Sequence, residues 1–211
     1  MIPAIAHIKE QIANKKLDTR TIEGRAWLVN KTASLNLTAA NLFADRTALK
    51  NRNIIGRMYY FYYNAKLKET LPYWDRFPLI IPLRHYPDGF LGINLHYIYP
   101  KDRLLLLTKL QPLQTGSVND ERTRLRLSYP ILQAYHRAYE ATPCIKRYLW
   151  TQVRTRFLEI PAPEWDIAAA LPVQDFRQNV KRTPSKNVWV ESKQKYHPSH
   201  TKVVGRPHKN D

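Results

Sequence analysis

Between positions 56 and 99 the chain gathers aromatic and β-branched residues into three short runs, and this block constrains the fold more than any other feature. The runs are Met58-Tyr59-Tyr60-Phe61-Tyr62-Tyr63, Phe77-Pro78-Leu79-Ile80-Ile81-Pro82-Leu83 and Phe90-Leu91-Gly92-Ile93-Asn94-Leu95-His96-Tyr97. Parted by Lys66–Asp75 and by Tyr86-Pro87-Asp88-Gly89, they describe a small antiparallel sheet. In an extended strand Tyr60 and Tyr62 face one way, and Tyr59, Phe61 and Tyr63 the other. One set must build the core; the other either packs as well or is offered to bases. Pro78 and Pro82 bracket the central strand, so one of its edges is expected to be unpaired or bulged. Pro87-Asp88-Gly89 reads as a turn with Gly89 at positive φ. Phe90, Ile93 and Leu95 are expected to pack against Phe77–Leu83. Strong bending between such short strands predicts an SH3-like barrel.

The flanks read as helix. In residues 1–55, Ile5, Ile8 and Ile12 recur at helical spacing, and nine basic residues stand against four acidic ones. Pro100 suits a first helical turn before Leu104, Leu105, Leu107 and Leu110. A second helix is expected around Leu125 to Tyr139. A third runs from Cys144 to Phe157, where Ile145, Tyr148, Leu149, Gln152, Val153 and Phe157 fall at helical spacing. A short one begins at Pro163 and passes Trp165, Ile167 and Ala168. From Arg177 onward nine bases meet two acids with little periodicity, which predicts an extended basic tail. The fold class is therefore α+β: a basic helical arm (1–55), a core of barrel plus helices (56–171) and a basic tail (172–211).

Charge points to the partner. Lys and Arg number 34 against 17 Asp and Glu, a formal net charge of +17 with a pI near 10.0. Such an excess favours a polyanion, nucleic acid first. Lys146, Arg147, Arg154 and Arg156 lie off the apolar stripe of the expected third helix. With Arg122, Arg124 and Arg126, and with Lys181, Arg182 and Lys186 in the tail, they are the candidate phosphate-contacting residues. The competing reading of these charges is a solvated helix face. Trp189 and Tyr196 are the aromatic anchors of the tail. Val188-Trp189-Val190 would serve as an added strand or plug on a neighbouring protein.

Catalysis finds little footing. Cys144 is the only cysteine, which rules out an intramolecular disulfide and a thiolate zinc site. The seven His residues form no metal pattern. Asp75, His85, Asp88 and His96 are the only compact acid/base set, with His85 and His96 placed to face each other across a hairpin, but no nucleophile motif supports them. None of the six Gly belongs to a phosphate loop. The expectation is a protein without enzymatic activity, cofactor, metal or small-molecule substrate. Mean hydropathy is −0.51, and the apolar stretch Ile2–Ile8, broken by Pro3 and His7, is too short for a signal peptide or a bilayer span, so no membrane is expected.

The middle of the chain also resembles a family of virion proteins from large contractile-tailed bacteriophages, of the DNA end protector type. The residues that carry it are Met58–Lys66, Leu71-Pro72-Tyr73-Trp74-Asp75-Arg76-Phe77-Pro78-Leu79 and Gly89–Tyr97. Farther on, Pro143-Cys144-Ile145-Lys146-Arg147-Tyr148-Leu149, Glu164-Trp165-Asp166-Ile167-Ala168 and Leu171-Pro172 add to it. The resemblance covers roughly residues 56–175 and supplies no catalytic residues. It implies a late protein of the virion, present in the host cytoplasm during assembly, that binds DNA, duplex ends above all, beside other phage structural proteins. The rival expectation is a structural subunit of tail, baseplate or connector whose arms grip its neighbours.

Overall fold

The computed structural model describes residues 3–35, 37–43, 48–115, 144–179 and 181–196, which form two antiparallel sheets and six α-helices. The larger sheet has the spatial order β1 (Leu49–Lys50), β7 (Phe157–Ile160), β2 (Met58–Tyr60), β4 (Leu79–Tyr86), β5 (Gly89–Asn94), β6 (Ile145–Leu149). The smaller joins β3 (Trp74–Asp75), β8 (Phe176–Gln178) and β9 (Lys181–Arg182). The helices are α1 (Pro3–Asn14), α2 (Ile22–Ala33), α3 (Ala39–Leu42), α4 (Pro100–Thr115), α5 (Trp165–Ala170) and α6 (Ser185–Tyr196). The α+β class and the antiparallel pairing of the three aromatic runs stand. The SH3-like barrel does not: β1 and β6 end the order of an open sheet. Closure requires the two edges to meet, and a two-residue β1 gives β6 little to meet.

Alternation along β2 sorts the tyrosines as expected, and both faces turn out to be core. Tyr60 joins a large cluster with Leu79, Ile81, Leu104, Trp165 and Ala168. Tyr59, Phe61 and Tyr63 join a second, aromatic cluster with Phe90, Tyr148 and Phe157. The ring of Phe61 lies 5.3 Å from that of Tyr148 at 77°, the edge-to-face arrangement that aromatic quadrupoles favour. Tyr59, Tyr60 and Phe61 are fully enclosed and are not left to stack bases. The bulge expected from the prolines is present, as the β4–β5 register shifts between Pro82 and Arg84.

The large cluster draws residues from all three stretches marked out by composition: Ile5, Ile8 and Leu28 from the N-terminal stretch, Leu79 and Leu107 from the middle, Val188 from the C-terminal one. At its centre is α5. The last carbonyls of any helix lack partners inside it, and here three separate elements supply them. The Tyr60 hydroxyl donates to the Ala168 carbonyl at 2.6 Å, Arg103 Nη1 to Ala169 at 3.0 Å and Thr32 Oγ1 to Ala170 at 2.9 Å. Local signals start the outer helices: Thr21 caps α2 through the Gly24 amide, and Thr38 forms a capping box with Asn41 on α3.

Three local expectations are corrected. Cys144–Phe157 is not a helix: it holds β6, a 3₁₀ turn at Trp150–Gln152 and the start of β7, because residues 145–149 pair with Gly89–Ile93 of β5. The described part of the tail is not extended, since β8 pairs with β3, β9 pairs with β8 and residues 185–196 form α6. Gly89 does not occupy positive φ; it opens β5 after the two-residue turn Pro87–Asp88. It is glycine for another reason: a Cβ there would collide with the Tyr148 carbonyl oxygen of β6. The expected helix at Leu125–Tyr139 lies outside the described residues.

Candidate nucleic-acid interface

Trp74 on β3 separates two recesses. The larger, about 370 Å³, is walled by Tyr63, Tyr73, Tyr97 and Tyr148, with Lys66, Lys146 and Arg147 among its lining. The smaller, about 200 Å³, is lined by Asn64, Lys68, Trp74, Arg76, Arg177 and Asn179. The aromatic cluster behind the sheet thus opens at its rim, through Tyr63, Trp74 and Tyr148, into the larger recess.

Pairing in the small sheet arms the second recess. Trp74 stands opposite Arg177, and Arg177 opposite Arg182, so the three project from one face. Asp75 and Phe176 point the other way, into the protein. Asn179, in the turn after β8, takes a left-handed φ of 53°, which asparagine tolerates better than most residues. Two like charges directly across a ladder are destabilising. One carboxylate, Asp175, meets both Arg76 Nε at 2.5 Å and Arg177 Nε at 2.8 Å. Lys68 Nζ lies 5.7 Å from the centre of the Trp74 ring. Among the residues lining the recess, three are cationic and none is acidic.

The acid nearest the larger recess is fully spent. Asp75 is 4 % exposed; its Oδ1 accepts from the amides of Phe77 and Asp175, and its Oδ2 from Asn94 Nδ2 at 3.0 Å and His96 Nδ1 at 2.7 Å. Burial pushes its carboxyl up, but His96, Asn94 and the Phe77 amide outweigh that and hold it below the ordinary carboxylate range. Burial pushes His96 below the ordinary imidazole value, so its ring is neutral and the proton belongs on Nδ1, facing the carboxylate. The acid/base set read from sequence is thereby dispersed. His85 bonds Asn53 at 2.6 Å, Asp88 pairs with Arg147, and only Asp75 and His96 meet, both enclosed. His85 and His96 do not face each other: His85 stands opposite Phe90. Burial pushes the Cys144 thiol up to about 12, which disables it as a nucleophile.

The structure brings some of the sequence-predicted residues to this place. Lys146 and Arg147 are neighbours on β6. Lys146 Nζ sits 4.2 Å from the Tyr97 ring; Arg147 pairs with Asp88 and lies 3.9 Å over Tyr86. Arg182 joins the Trp74–Arg177 row, while Lys181 stands opposite Gln178 on the other face. Arg154 is exposed and follows Gln152, whose carbonyl accepts from the Asn64 amide at the edge of the smaller recess. Arg156 is exposed just before β7, and Lys186 is exposed in the first turn of α6. Arg122, Arg124 and Arg126 lie outside the described residues. Trp189 is half-buried against its own chain, with Nε1 donating to the His96 carbonyl at 2.8 Å and its ring edge-on to Tyr99. Tyr196 ends α6, and its side chain lies outside the described residues. Sequence reading missed Lys66, Lys68, Trp74, Arg76 and Arg177 as site residues. They come from three separate segments, and no local pattern joins them.

Among the described residues no three His, Cys, Asp or Glu side chains gather as a metal site, and no helix is long and apolar enough to cross a membrane. No curated protein and no solved structure matches the chain. A family model does: the one described as phage T4 terminal DNA protecting protein, over residues 8–192.

Proposed function

The chain belongs to the phage T4 terminal DNA protecting protein family, and from that membership we propose that it works by occupancy, binding the end of a phage genome and shielding it without chemistry of its own. The match across residues 8–192 is the observation that carries this reading. The surface around Trp74 supports it. Cations outnumber acids there, and a like-charged row of arginines is tolerated at a cost to the fold. An anion that binds there recovers that cost. Phosphate oxygens suit guanidinium forks, and contacts of this kind position a protein on DNA without reading sequence. The working residues in this reading are Lys66, Lys68, Arg76, Lys146, Arg147, Arg177 and Arg182, with Arg154, Arg156, Lys181 and Lys186 extending the basic surface. The protein's place is then the virion, with host cytoplasm as the site of assembly and other virion proteins beside it.

Competition between DNA forms tests the proposal. A linear duplex should displace a labelled, end-bearing probe far better than the same mass of closed circular DNA. Affinity should also fall steeply as salt rises, because each phosphate contact releases condensed counterions. Equal competition by circles would remove end binding. Affinity indifferent to salt would remove DNA altogether.

A further inference from the structure

The two recesses flanking Trp74 offer different chemistry. The larger has aromatic walls with cations at its rim; the smaller is polar and cationic. Trp74 is 7 % exposed, and its Nε1 has no acceptor among the described residues. Buried N–H groups rarely stay unpaired once a structure is complete. At the mouth of the larger recess Leu67 and Leu71 are left 63 % and 36 % exposed, apolar side chains in water beside aromatic rings. Leu67 also holds a left-handed φ of 58°, a conformation that branched side chains rarely adopt. A volume of about 370 Å³ sits near the lower limit of small-ligand sites, which run from about 300 to 1,000 Å³. It is large enough for one base with its sugar.

We infer that the two recesses form a terminal-nucleotide site, in which an unpaired base at the DNA end enters the aromatic recess while the adjoining phosphates are held by Lys68, Arg76 and Arg177. The inference rests on the reading of the protein as a DNA end binder and adds that its ligand is an unpaired nucleotide. Every base has a π-face, so stacking on tyrosine and tryptophan rings is indifferent to sequence. The Trp74 N–H supplies a donor to a ring nitrogen, carbonyl or phosphate oxygen of the guest. Lys66 and Lys146 at the rim neutralise the backbone as it turns in. An overhang meets these demands at once, whereas a blunt end must first fray and lose a stacked pair.

The test uses the full chain and one duplex with an internal fluorophore, finished blunt, with a short 3′ overhang, with a short 5′ overhang, or with an overhang of abasic residues. Anisotropy titration should show one overhang polarity binding about ten-fold tighter than the blunt duplex, the scale of one stacked base. The abasic overhang should return to the blunt value. Tyr73→Ala should erase the preference, so that blunt and overhanging duplexes bind this variant equally. Should that variant fail to fold, Trp74→Phe, which keeps a ring and removes the N–H, should reduce the preference instead. Equal affinity for blunt and overhanging ends would overturn the inference while leaving end binding intact. An abasic overhang that binds as well as a normal one would also overturn it, leaving the aromatic recess to a side chain of a protein partner. If no duplex binds at low salt, the end-binding reading fails and the site falls with it.

Discussion

Arg103 and the Arg76–Arg177–Arg182 group put the same side chain in opposite circumstances. Arg103 is 1 % exposed and gives its donors to the carbonyls of Ile98, Ala169 and His96, beneath the Trp189 ring. Beside Trp74, Arg76 and Arg177 meet one carboxylate, Asp175, with Lys68 in the same recess and Arg182 exposed next in the row. A buried charge must be hydrogen-bonded or it unfolds the protein. A surface charge next to its like is tolerated at small cost, and that cost is recovered when an anion arrives. Burial with every donor nitrogen placed marks the arginine that holds the fold; in the proposed reading, the exposed row is the one that meets DNA.

The contrast should be widest at Arg103. Arg103→Met takes the Arg103 donor from the carbonyls of Ile98 and Ala169 and leaves that of His96 to Trp189; it should lose about 2–4 kcal/mol in urea unfolding, while the protein that remains folded binds DNA as before. Loss of DNA binding at full stability would reverse the assignment. Asp75→Asn should cost about 2–3 kcal/mol, because an amide cannot replace a carboxylate that accepts four bonds. It should also flatten the acid limb of stability. Asp75 and His96 both have depressed folded-state values, so each contributes stability above its unfolded pKa that is lost as pH falls through the folded one. The wild type should weaken as pH drops below the ordinary histidine range and again below the ordinary carboxylate range. A urea midpoint that stays constant through both would contradict this.

Trp189→Phe tests the tail. It removes the bond to His96 and should cost about 1 kcal/mol, visible as a lower melting temperature. An unchanged melting temperature together with failed incorporation into particles would return Trp189 to the role of partner anchor. The smallest change in stability belongs to Arg182→Gln. Relieving the like-charged pair should leave stability equal or raise it by about 0.2–1 kcal/mol. The same variant should bind DNA more weakly, with a salt dependence shallower by about one counterion. Destabilisation at this position would mean that Arg182 belongs with Arg103.

Much of the scaffold was legible because its local signals agree. The run Tyr59–Tyr63 alternates faithfully, Pro100 opens α4, Pro87–Asp88 makes the hairpin turn and Pro82 sits at the bulge. Residues 145–157 misled because Ile145, Tyr148, Leu149 and Val153 suit a helix, while the strand pattern, Tyr148 in and Arg147 out, lasts only five residues. Pairing with β5 decides it, and pairing is not a local property. α6 was missed because its apolar anchoring is carried by Val188 and Trp189 on an otherwise polar segment. The candidate site was legible only in part. Charge pointed to Lys146, Arg147 and Arg182, but the cluster exists only because β3, β8 and β9 meet across about a hundred residues of chain.

Protection of DNA ends is the measurement closest to the proposed function. Linear duplexes of increasing length, incubated with the protein and then with a double-strand exonuclease, should survive once two molecules are bound per duplex, whatever the length. Arg182→Gln should need more protein to reach the same survival. Survival that demands protein in proportion to duplex length, or digestion that proceeds unchanged from ends saturated with protein, would contradict end capping and leave only a basic protein coating DNA.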